Sequence, residues 1–316
     1  MGLPSVLFLA RLSTPFAPPD LSTKPLGGSE TALAQVARGL ARLGHEVTVV
    51  ANPGQRQGWY DGVRYVDFRE ADWRRTKPDV TVIFRQLPDA LRRCPGRVRV
   101  LWVHDHIGLY PELPDSMHQR ILKALWRLAN PIFGGRVPYI VAVSQWLRSC
   151  FIEYAGWPQD KVFVIPNGVD PDLFDNRSTV VRPEGAYRLV YTSVPERGLS
   201  LLIKEILPRV WSELPETELH VFSYRALDGY ASAVHDPRVK LRGGLSKPEL
   251  AATLSQFHLW TYPTDFPETS CIAAMEAQAS GLPCVTSRRY ALTETIADGQ
   301  SGVLVPGRVG SKTYVD

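Results

Sequence analysis

Glu268 and Glu276 are the side chains whose type and surroundings best fit a chemical role in this chain of 316 residues. They belong to segment 260–286, which has the pattern of a strand, a turn-rich loop and a helix, with Thr269 and Ser270 where N-cap residues belong. The backbone N–H groups and the dipole at the start of such a helix attract an anion such as a diphosphate. A carboxylate accepts two hydrogen bonds in a fork, so one glutamate in the loop and one on the helix could hold a hexose and a ribose. The segment therefore predicts a site for a sugar nucleotide.

The spacing of these two glutamates is not diagnostic by itself, because Glu205 and Glu213 have the same spacing and fit ordinary solvated helix positions. The surrounding order is more informative: a glutamate follows an apolar strand and a proline, and Glu276 begins the pattern Glu-Ala-x-Ala-x-Gly-x-Pro-x-Val. This order resembles the retaining glycosyltransferases of family four (glycosyl transferases group 1), which have the GT-B fold. The resemblance implies a metal-independent hexosyltransferase that uses a nucleoside-diphosphate sugar as substrate.

The composition agrees with a soluble enzyme of two domains. Hydrophobic residues make up 44% of the chain, enough to bury two cores. Apolar runs are much shorter than the roughly 20 residues that span a bilayer, and the first residues lack a signal-peptide pattern, so we expect a cytoplasmic protein. The net charge of +4 is mild and spread out, which argues against a nucleic-acid partner and is compatible with a polyphosphate ligand or an anionic surface. Without paired metal-ligand spacing, we expect buried thiols and no disulfide at Cys94, Cys150, Cys271 and Cys284.

Apolar strand-like runs alternate with helical patterns in two series, which predicts two parallel sheets with crossover helices. The predicted strands are 5–9, 47–51, 80–84, 98–104, 139–144 and 162–166, then 188–192, 218–224, 239–242, 259–262 and 283–287. A polar, proline-containing stretch at 171–186 separates the series. We therefore expect the α/β class, with two doubly wound Rossmann-like domains facing across a cleft. Residues 1–175 would form the acceptor-side domain and residues 176–316 the nucleotide-sugar domain.

Gly27 and Gly28 precede a helix predicted to start at Ser29 or Glu30. Glycines at such a place let the backbone approach a ligand closely, although a plain flexible turn explains them equally well. The resemblance favours the first interpretation, because related enzymes direct a Gly-Gly loop at the phosphates and sugar of the donor.

The predicted strand 98–104 ends at His104, and Asp105 and His106 follow it directly. A histidine beside an aspartate could be a general base, an orienter of a sugar hydroxyl or a structural pair. The resemblance implies a catalytic-site histidine near the reacting sugar carbon, for which His104 is the best positional match and His106 the second.

Arg197 precedes Gly198 and occupies the place where family members have a lysine that opens a helix. The resemblance implies that this cation offsets the charge growing on the leaving diphosphate. Thr192 and Ser193 stand where the family has a Gly-Arg pair, so one of two usual cations is absent there. The candidates to replace it are Arg188, Arg225 and Arg242.

Two further motifs concern the nucleotide base and a metal. The resemblance places the base near the backbone of Gly243, Gly244 and Leu245, and backbone contacts do not specify which base. Asp170 and Asp172 have Asp-x-Asp spacing, but the proline between them indicates helix initiation, and we expect neither a metal nor a cofactor.

Residues 116–135 have the pattern of a basic amphipathic helix. Such a helix could lie on a membrane, giving peripheral contact at the inner membrane face, or it could face the core with a solvated basic side. The sequence leaves both interpretations open.

The sequence as a whole predicts a retaining transferase in glycan biosynthesis that acts on a glycan, lipid-linked or small-molecule hydroxyl acceptor. The resemblance implies same-face substitution, in which positioning and stabilisation of the leaving group do most of the work. Family members usually continue past the Gly-x-Leu-Val segment with further helices, so the alternative is a nucleotide-sugar-binding subunit, or a truncated form, that needs a partner. The oligomeric state is not predicted.

Overall fold

The computed structural model describes residues 2–12, 15–70, 72–91, 94–111, 113, 116–174, 187–225, 227 and 236–316. The chain forms two compact units. The first takes in Met1–Pro19 and Ser29–Asn167, and the second takes in Asp20–Gly28 and Gly168–Asp316. The boundary that the sequence predicts after residue 175 falls at stretch 175–186, which lies outside the described residues.

The first unit is built on a sheet of eight strands among the described residues. They are β1 (Val6–Leu9), β2 (Val47–Ala51), β3 (Gly58–Tyr60), β4 (Val63–Asp67), β5 (Val80–Phe84), β6 (Val98–Val103), β7 (Tyr139–Ala142) and β8 (Val162–Val164). Their spatial order is β3-β4-β2-β1-β5-β6-β7-β8. Neighbouring strands are parallel except at the edge, where β3 runs antiparallel to β4.

The second unit is built on a parallel sheet, for which the structure describes six strands. They are β9 (Arg188–Tyr191), β10 (Glu218–Phe222), β11 (Val239–Gly243), β12 (Leu259–Tyr262), β13 (Cys284–Ser287) and β14 (Gly302–Val305). Their order is β11-β10-β9-β12-β13-β14. Tyr191, Trp260 and Tyr262 are almost fully buried on this sheet and anchor the core of the unit.

Helices connect the strands in both units. The α-helices are α1 (Asp20–Thr23), α2 (Gly28–Arg42), α3 (Met117–Arg136), α4 (Gln145–Ser149), α5 (Pro171–Phe174), α6 (Leu199–Leu201), α7 (Leu207–Glu213), α8 (Lys247–Leu254), α9 (Ile272–Ala279), α10 (Leu292–Thr295) and α11 (Lys312–Val315). Turns of π-helix span Cys150–Tyr154 and Leu202–Ile206, and 3₁₀ turns span Gly54–Arg56, Asp72–Arg75, Leu87–Leu91, Gln159–Lys161 and Pro195–Arg197. Two doubly wound, mostly parallel α/β units confirm the predicted class.

Two features depart from the sequence prediction. The hairpin of β3 and β4 was not predicted; Asp61 and Gly62 join its strands with φ of 49° and 79°, the conformation of a tight turn that suits right-twisted strands. The apolar pattern of residues 199–214 predicts one continuous helix, but the π turn Leu202–Ile206 interrupts it. Pro208 has no N–H and cannot continue the regular pattern of helical hydrogen bonds, which accounts for an interruption just before it.

Candidate functional site

The loops after β9 and β12 bring the predicted chemical groups of the second unit together. These two strands are neighbours and parallel, so their carboxyl ends lie at the same edge of the sheet. Ligands of open α/β sheets bind beyond that edge. Arg197 follows β9 and Glu268 follows β12, and their side chains meet there.

Glu268 accepts two hydrogen bonds on one oxygen. Its Oε1 lies 3.0 Å from Arg197 Nη1 and 2.6 Å from the Tyr262 hydroxyl. Glu268 is 7% exposed. Its carboxylate is therefore buried, and the hydrogen bonds from Arg197 and Tyr262 fix its position. Sequence reasoning missed Tyr262; its position as the last residue of the strand that leads to Glu268 is a signal that could have identified it.

Burial controls the electrostatics of this cluster. It raises the pKa of Glu268, against the opposing effects of Arg197 and the Tyr262 hydrogen bond. Burial also raises the pKa of Tyr262 well above its ordinary value, with Glu268 adding to the effect, so the phenol stays protonated and donates. Burial lowers the pKa of Arg197, but Glu268, Tyr262 and Tyr224 together raise it by more, so the net shift is upward. The guanidinium carbon lies 3.6 Å from the centroid of the Phe266 ring, a cation–π contact that further orients it.

Gly198 permits the backbone approach that places Arg197. Its φ is +115°, and a Cβ built on it would lie 1.8 Å from the carbonyl oxygen of Pro263. Only glycine combines this backbone conformation with this contact. The loop after β9 can therefore lie directly against the loop after β12.

Glu276 lies on α9, is 3% exposed and forms an ion pair with Lys247 through Oε1. Lys247 is the first residue of α8, which is capped by reciprocal hydrogen bonds between Ser246 and Glu249. A buried carboxylate with a cation on one oxygen is held in a fixed place, where it could also accept ribose hydroxyls. Sequence reasoning missed Lys247, and the only signal was its place at the start of a capped helix.

The start of α9 lies slightly later than the sequence predicts. Cys271 is the N-cap residue, and its carbonyl oxygen accepts from Ala274 N at 3.1 Å and Met275 N at 3.2 Å. The N-cap prediction for Thr269 and Ser270 was therefore one or two residues early. Ser270 Oγ is buried and has no hydrogen-bond partner among the described residues, so a ligand oxygen could satisfy it.

Segment Asp20–Gly28 belongs to the second unit, so the predicted donor-binding residues Gly27 and Gly28 lie close to that unit's sheet and helices. A Cβ on Gly28 would lie 3.0 Å from Cδ1 of Ile272, the first residue of α9. A Cβ on Gly244 would lie 2.7 Å from Pro25 of the segment. Glycine at both positions therefore permits close packing between this segment and the rest of the second unit.

The other residues of the predicted donor loops have simpler surroundings. Gly243 ends β11 with φ of +79°, and Leu245 is partly buried against the core of the second unit. Gly27 directly precedes α2. Arg188 opens β9 and faces Glu218 at 3.9 Å, so it lies at the amino end of the strand, away from Arg197. Arg225 follows β10, at the carboxyl edge, with its N–H bonded to Ser223.

His104 follows β6 in the first unit and is buried, with 8% exposure. Its ring centroid lies 4.9 Å from that of Phe84 and 4.7 Å from that of Trp102. Burial, reinforced by Arg85, lowers the pKa of His104 to about 3, so the ring is neutral near pH 7. A neutral ring can donate or accept a hydrogen bond but is not a source of positive charge.

His106 differs from His104 in its surroundings. It is partly exposed, its Nδ1 accepts from Gly108 N at 3.0 Å, and burial lowers its pKa, with Asp105 opposing. Asp105 forms two hydrogen bonds with Arg85, at 2.7 and 2.9 Å. The pairing of Asp105 with Arg85, rather than with a histidine, was not predicted.

The first unit contains a cavity of about 330 Å³ at the carboxyl ends of its strands. The lining residues are Arg11, Leu12, Glu30, Phe68, Phe84, Arg85 and Gln86. Charged groups beside aromatic rings are suited to a polyhydroxyl ligand.

The motifs that could have held a metal have other surroundings. No group of three or more His, Cys, Asp or Glu side chains suited to a metal ion occurs among the described residues. Asp170 directly precedes α5 and Asp172 lies within its first turn, as helix initiation at Pro171 predicts. The four cysteines are buried thiols.

Two mostly parallel α/β units, with a carboxylate and guanidinium cluster at the carboxyl edge of the second sheet, define the GT-B class. Family models agree: residues 26–173 match "Glycosyltransferase Family 4" and residues 187–314 match "Glycosyl transferases group 1". The chain belongs to these glycosyltransferases.

Curated relatives are distant and longer. One subunit of the phosphatidylinositol N-acetylglucosaminyltransferase of Homo sapiens is 24% identical over 311 residues, covering 86% of this chain and 61% of that protein. The MMP alpha-(1->4)-mannosyltransferase of Mycolicibacterium hassiacum is 30% identical over 187 residues, covering 57% of this chain and 44% of that protein. The D-inositol 3-phosphate glycosyltransferase of Arthrobacter sp. is 29% identical over 165 residues, covering 47% and 39%. The chain thus spans less than two thirds of the length of these relatives.

Solved structures support the same fold. Anabaena Alr3699/HepE in complex with UDP-glucose has a TM-score of 0.68 at 18% identity and covers 97% of this chain and 87% of that one. WaaG, a glycosyltransferase involved in lipopolysaccharide biosynthesis, has a TM-score of 0.68 at 15% identity and covers 98% and 88%. At such identities the likeness is evidence for the fold.

Proposed function

We propose that the chain is a retaining, metal-independent glycosyltransferase that moves a hexose from a nucleoside-diphosphate sugar to a hydroxyl acceptor. The observation that carries the proposal is the contact of Arg197 and Tyr262 with one oxygen of Glu268 at the carboxyl edge of the second sheet. That arrangement sets a carboxylate, an anion-binding guanidinium and the start of a helix side by side.

The donor would be held by groups of different character. Glu276, fixed by Lys247, is assigned the ribose hydroxyls, and Glu268 the hydroxyls of the transferred sugar. The positive end of the α9 dipole suits the diphosphate, together with Ser270 Oγ, which has no hydrogen-bond partner among the described residues. The backbone of Gly243, Gly244 and Leu245 is assigned the base.

The chemical step would depend on stabilising the leaving group. When the sugar–phosphate bond breaks, negative charge grows on the diphosphate, and the fixed cation Arg197 lowers the free energy of that state. His104, buried and neutral, is assigned the reacting face of the sugar as a hydrogen-bonding group. The acceptor hydroxyl would attack from the face that the diphosphate leaves and pass its proton to the departing phosphate oxygen, which retains the anomeric configuration.

The acceptor is proposed to be a glycan, lipid-linked or small-molecule hydroxyl bound by the first unit. The cavity lined by Arg11, Glu30, Arg85 and Gln86, with two phenylalanines, supports a polyhydroxyl group there. Two of the relatives described above are named for inositol-containing compounds, which supports an inositol-type acceptor among these alternatives.

A second candidate is a nucleotide-sugar-binding subunit that requires a partner for turnover. It is supported by the Homo sapiens relative, which is named as one subunit of its transferase. In that case the donor site would bind its ligand but release no nucleoside diphosphate without the partner.

The test is turnover by the purified chain with UDP, GDP and ADP sugars, myo-inositol and inositol phosphate, in the presence of EDTA. We expect release of nucleoside diphosphate with one donor series, unaffected by EDTA, and an NMR spectrum showing the donor's anomeric configuration in the product. Binding without release under all conditions would favour the second candidate, and an inverted product would contradict retention.

A further inference from the structure

The cavity of the first unit is lined by polar side chains of two kinds. It lies where β1, β4 and β5 end and α2 begins, and its volume of about 330 Å³ suits a single ring rather than a long chain. Among the described residues that line it, Arg11 and Arg85 form ion pairs with aspartates. The side chains of Glu30 and Gln86 form no hydrogen bond or ion pair with other described residues. A carboxylate and an amide are therefore the polar groups that a ligand can contact without breaking an existing pair.

Arg11 is paired with a buried carboxylate. Its Nη1 lies 2.9 Å from Oδ1 of Asp89, whose side chain is 1% exposed. Its guanidinium carbon also lies 5.5 Å from the centroid of the Phe68 ring. Moving Arg11 to a ligand phosphate would take a cation away from a buried carboxylate, which costs much of the free energy that the new contact supplies. The charge of Arg11 is therefore already balanced within the protein.

Arg85 is held by Asp105 in a similar way. Its guanidinium donates to both carboxylate oxygens of Asp105, the forked geometry that fixes an arginine most firmly. The φ of Arg85 is +64°, a conformation that residues other than glycine adopt only where the surroundings hold them in it. The second cation of the cavity is therefore also balanced and fixed.

Glu30 and Gln86 differ from the arginines in charge and in hydrogen bonding. Glu30 lies in the first turn of α2 and is partly buried, and Gln86 is exposed just beyond the end of β5. A carboxylate accepts hydrogen bonds from hydroxyl groups, and an amide both donates and accepts them. Because both arginines are balanced, Glu30 gives the described lining a negative charge. That charge attracts hydroxyl donors and repels a phosphate.

We propose that this cavity selects an uncharged polyhydroxyl ring as the acceptor and rejects a ring that carries a phosphate. Glu30 accepts hydrogen bonds from hydroxyls of the ring, Gln86 contacts a further hydroxyl at the rim, and the rings of Phe68 and Phe84 cover its apolar face. This selection rests on the proposed function, because it names the acceptor of that reaction. A phosphate elsewhere in a longer acceptor would have to lie outside the cavity.

The test is binding to the full chain, without donor, of myo-inositol, D-glucose and D-mannose and of a monophosphate of each, titrated by saturation-transfer NMR. We expect at least one unmodified compound to bind, roughly tenfold or more tightly than its phosphate. Binding of none of the three would overturn the proposal. So would a phosphate that binds as tightly as its unmodified parent, or more tightly.

Glu30→Gln separates the charge of this side chain from its shape. It should weaken binding of the unmodified compound roughly tenfold and leave binding of the phosphate unchanged or stronger, so the preference should fall to about threefold or less. Gln86→Leu should weaken both compounds by a similar factor and keep the preference, because it removes no charge. A preference that survives in Glu30→Gln would contradict the role of the carboxylate.

The matched control is Glu46→Gln, at an exposed glutamate directly before β2 and so at the amino edge of the same sheet. This variant should bind both compounds as the unaltered chain does, and circular dichroism should show all variants folded. An equal loss of preference in Glu46→Gln would overturn the assignment to Glu30.

The outcome is distinguishable from that of the transfer reaction, because binding is measured without donor. A chain that transfers sugar but prefers a phosphorylated acceptor would contradict the selection and leave the proposed function intact. A chain that shows the expected preference but releases no nucleoside diphosphate would contradict the proposed function and leave the selectivity of the cavity intact.

Discussion

Arg197 Nη1 lies 3.0 Å from Glu268 Oε1 across the gap between the loops that follow two neighbouring parallel strands. The contact joins a cation to a buried carboxylate at the edge where α/β sheets bind ligands. It depends on Gly198, whose missing side chain allows one loop to touch the other. The contact between Arg197 and Glu268 therefore depends on the close approach of the two loops at Gly198.

Removing the cation should destabilise the second unit. Arg197→Met leaves Glu268 buried without its counter-ion, and we expect a loss of about 3 kcal/mol in the free energy of unfolding. Arg197→Met/Glu268→Gln should recover part of that loss, because the second change removes the buried charge. Urea unfolding measures the loss of unfolding free energy in each single variant and in the double variant. A loss in the double variant larger than the sum of the losses in the two single variants would show that the pair does not act as described.

Gly198→Ala should be far more damaging than alanine at a glycine with similar backbone geometry. The new Cβ would overlap the Pro263 carbonyl, so we expect more than about 3 kcal/mol of lost stability or failure to fold. Gly307 has φ of +98° and open space around the position of a Cβ, and Gly307→Ala should cost about 1 kcal/mol. Thermal unfolding of the two variants measures both losses of stability. Equal losses would mean that the contact with Pro263 is unimportant.

His104 should make the protein less stable in mild acid. Its pKa is about 3 when folded against an ordinary 6.5, so below pH 6.5 the unfolded chain binds a proton that the folded chain does not. The stability supplied by this residue is complete above pH 6.5 and is lost as the pH falls toward 3, at about 1.4 kcal/mol per pH unit.

The histidine contribution can be isolated with His104→Phe, which keeps a ring beside Phe84 and Trp102. The difference in unfolding free energy between the unaltered chain and this variant should change by about 2 to 3 kcal/mol between pH 6.5 and 4.5. A difference independent of pH would show that His104 is not buried in its neutral form.

The sequence predicted the sheets well because parallel strands buried on both faces are nearly continuous apolar runs. Strand β5 and strand β12 were predicted with their observed limits. The hairpin β3–β4 was missed, since its strands are short and mixed in character and its turn is signalled only by Asp61 and Gly62. Positions just beyond strand ends, such as Glu268, were located from motif order, while their contacts were not.

Contacts made by side chains far apart in sequence account for what could not be predicted. Lys247 reaches Glu276 only because α8 and α9 pack in the same unit, and no local pattern encodes that distance. Tyr262 donates to Glu268 because the loop after β12 turns back over the strand end. The sequence leaves the membrane interpretation of residues 116–135 open because amphipathic periodicity does not reveal which face of a helix the fold covers.

The central claim, a donor site built on Glu268 and Glu276, is tested most directly by nucleotide affinity measured calorimetrically for Glu276→Gln. Glutamine keeps the shape of the side chain and an acceptor for Lys247 but loses the charge that strengthens hydrogen bonds to ribose. We expect this variant to bind the preferred nucleoside diphosphate roughly tenfold more weakly. The control is Glu205→Gln, at an exposed glutamate of the second pair with this spacing, which should bind as the unaltered chain does. Equal affinity in all three proteins would contradict the assignment of Glu276 to the donor site.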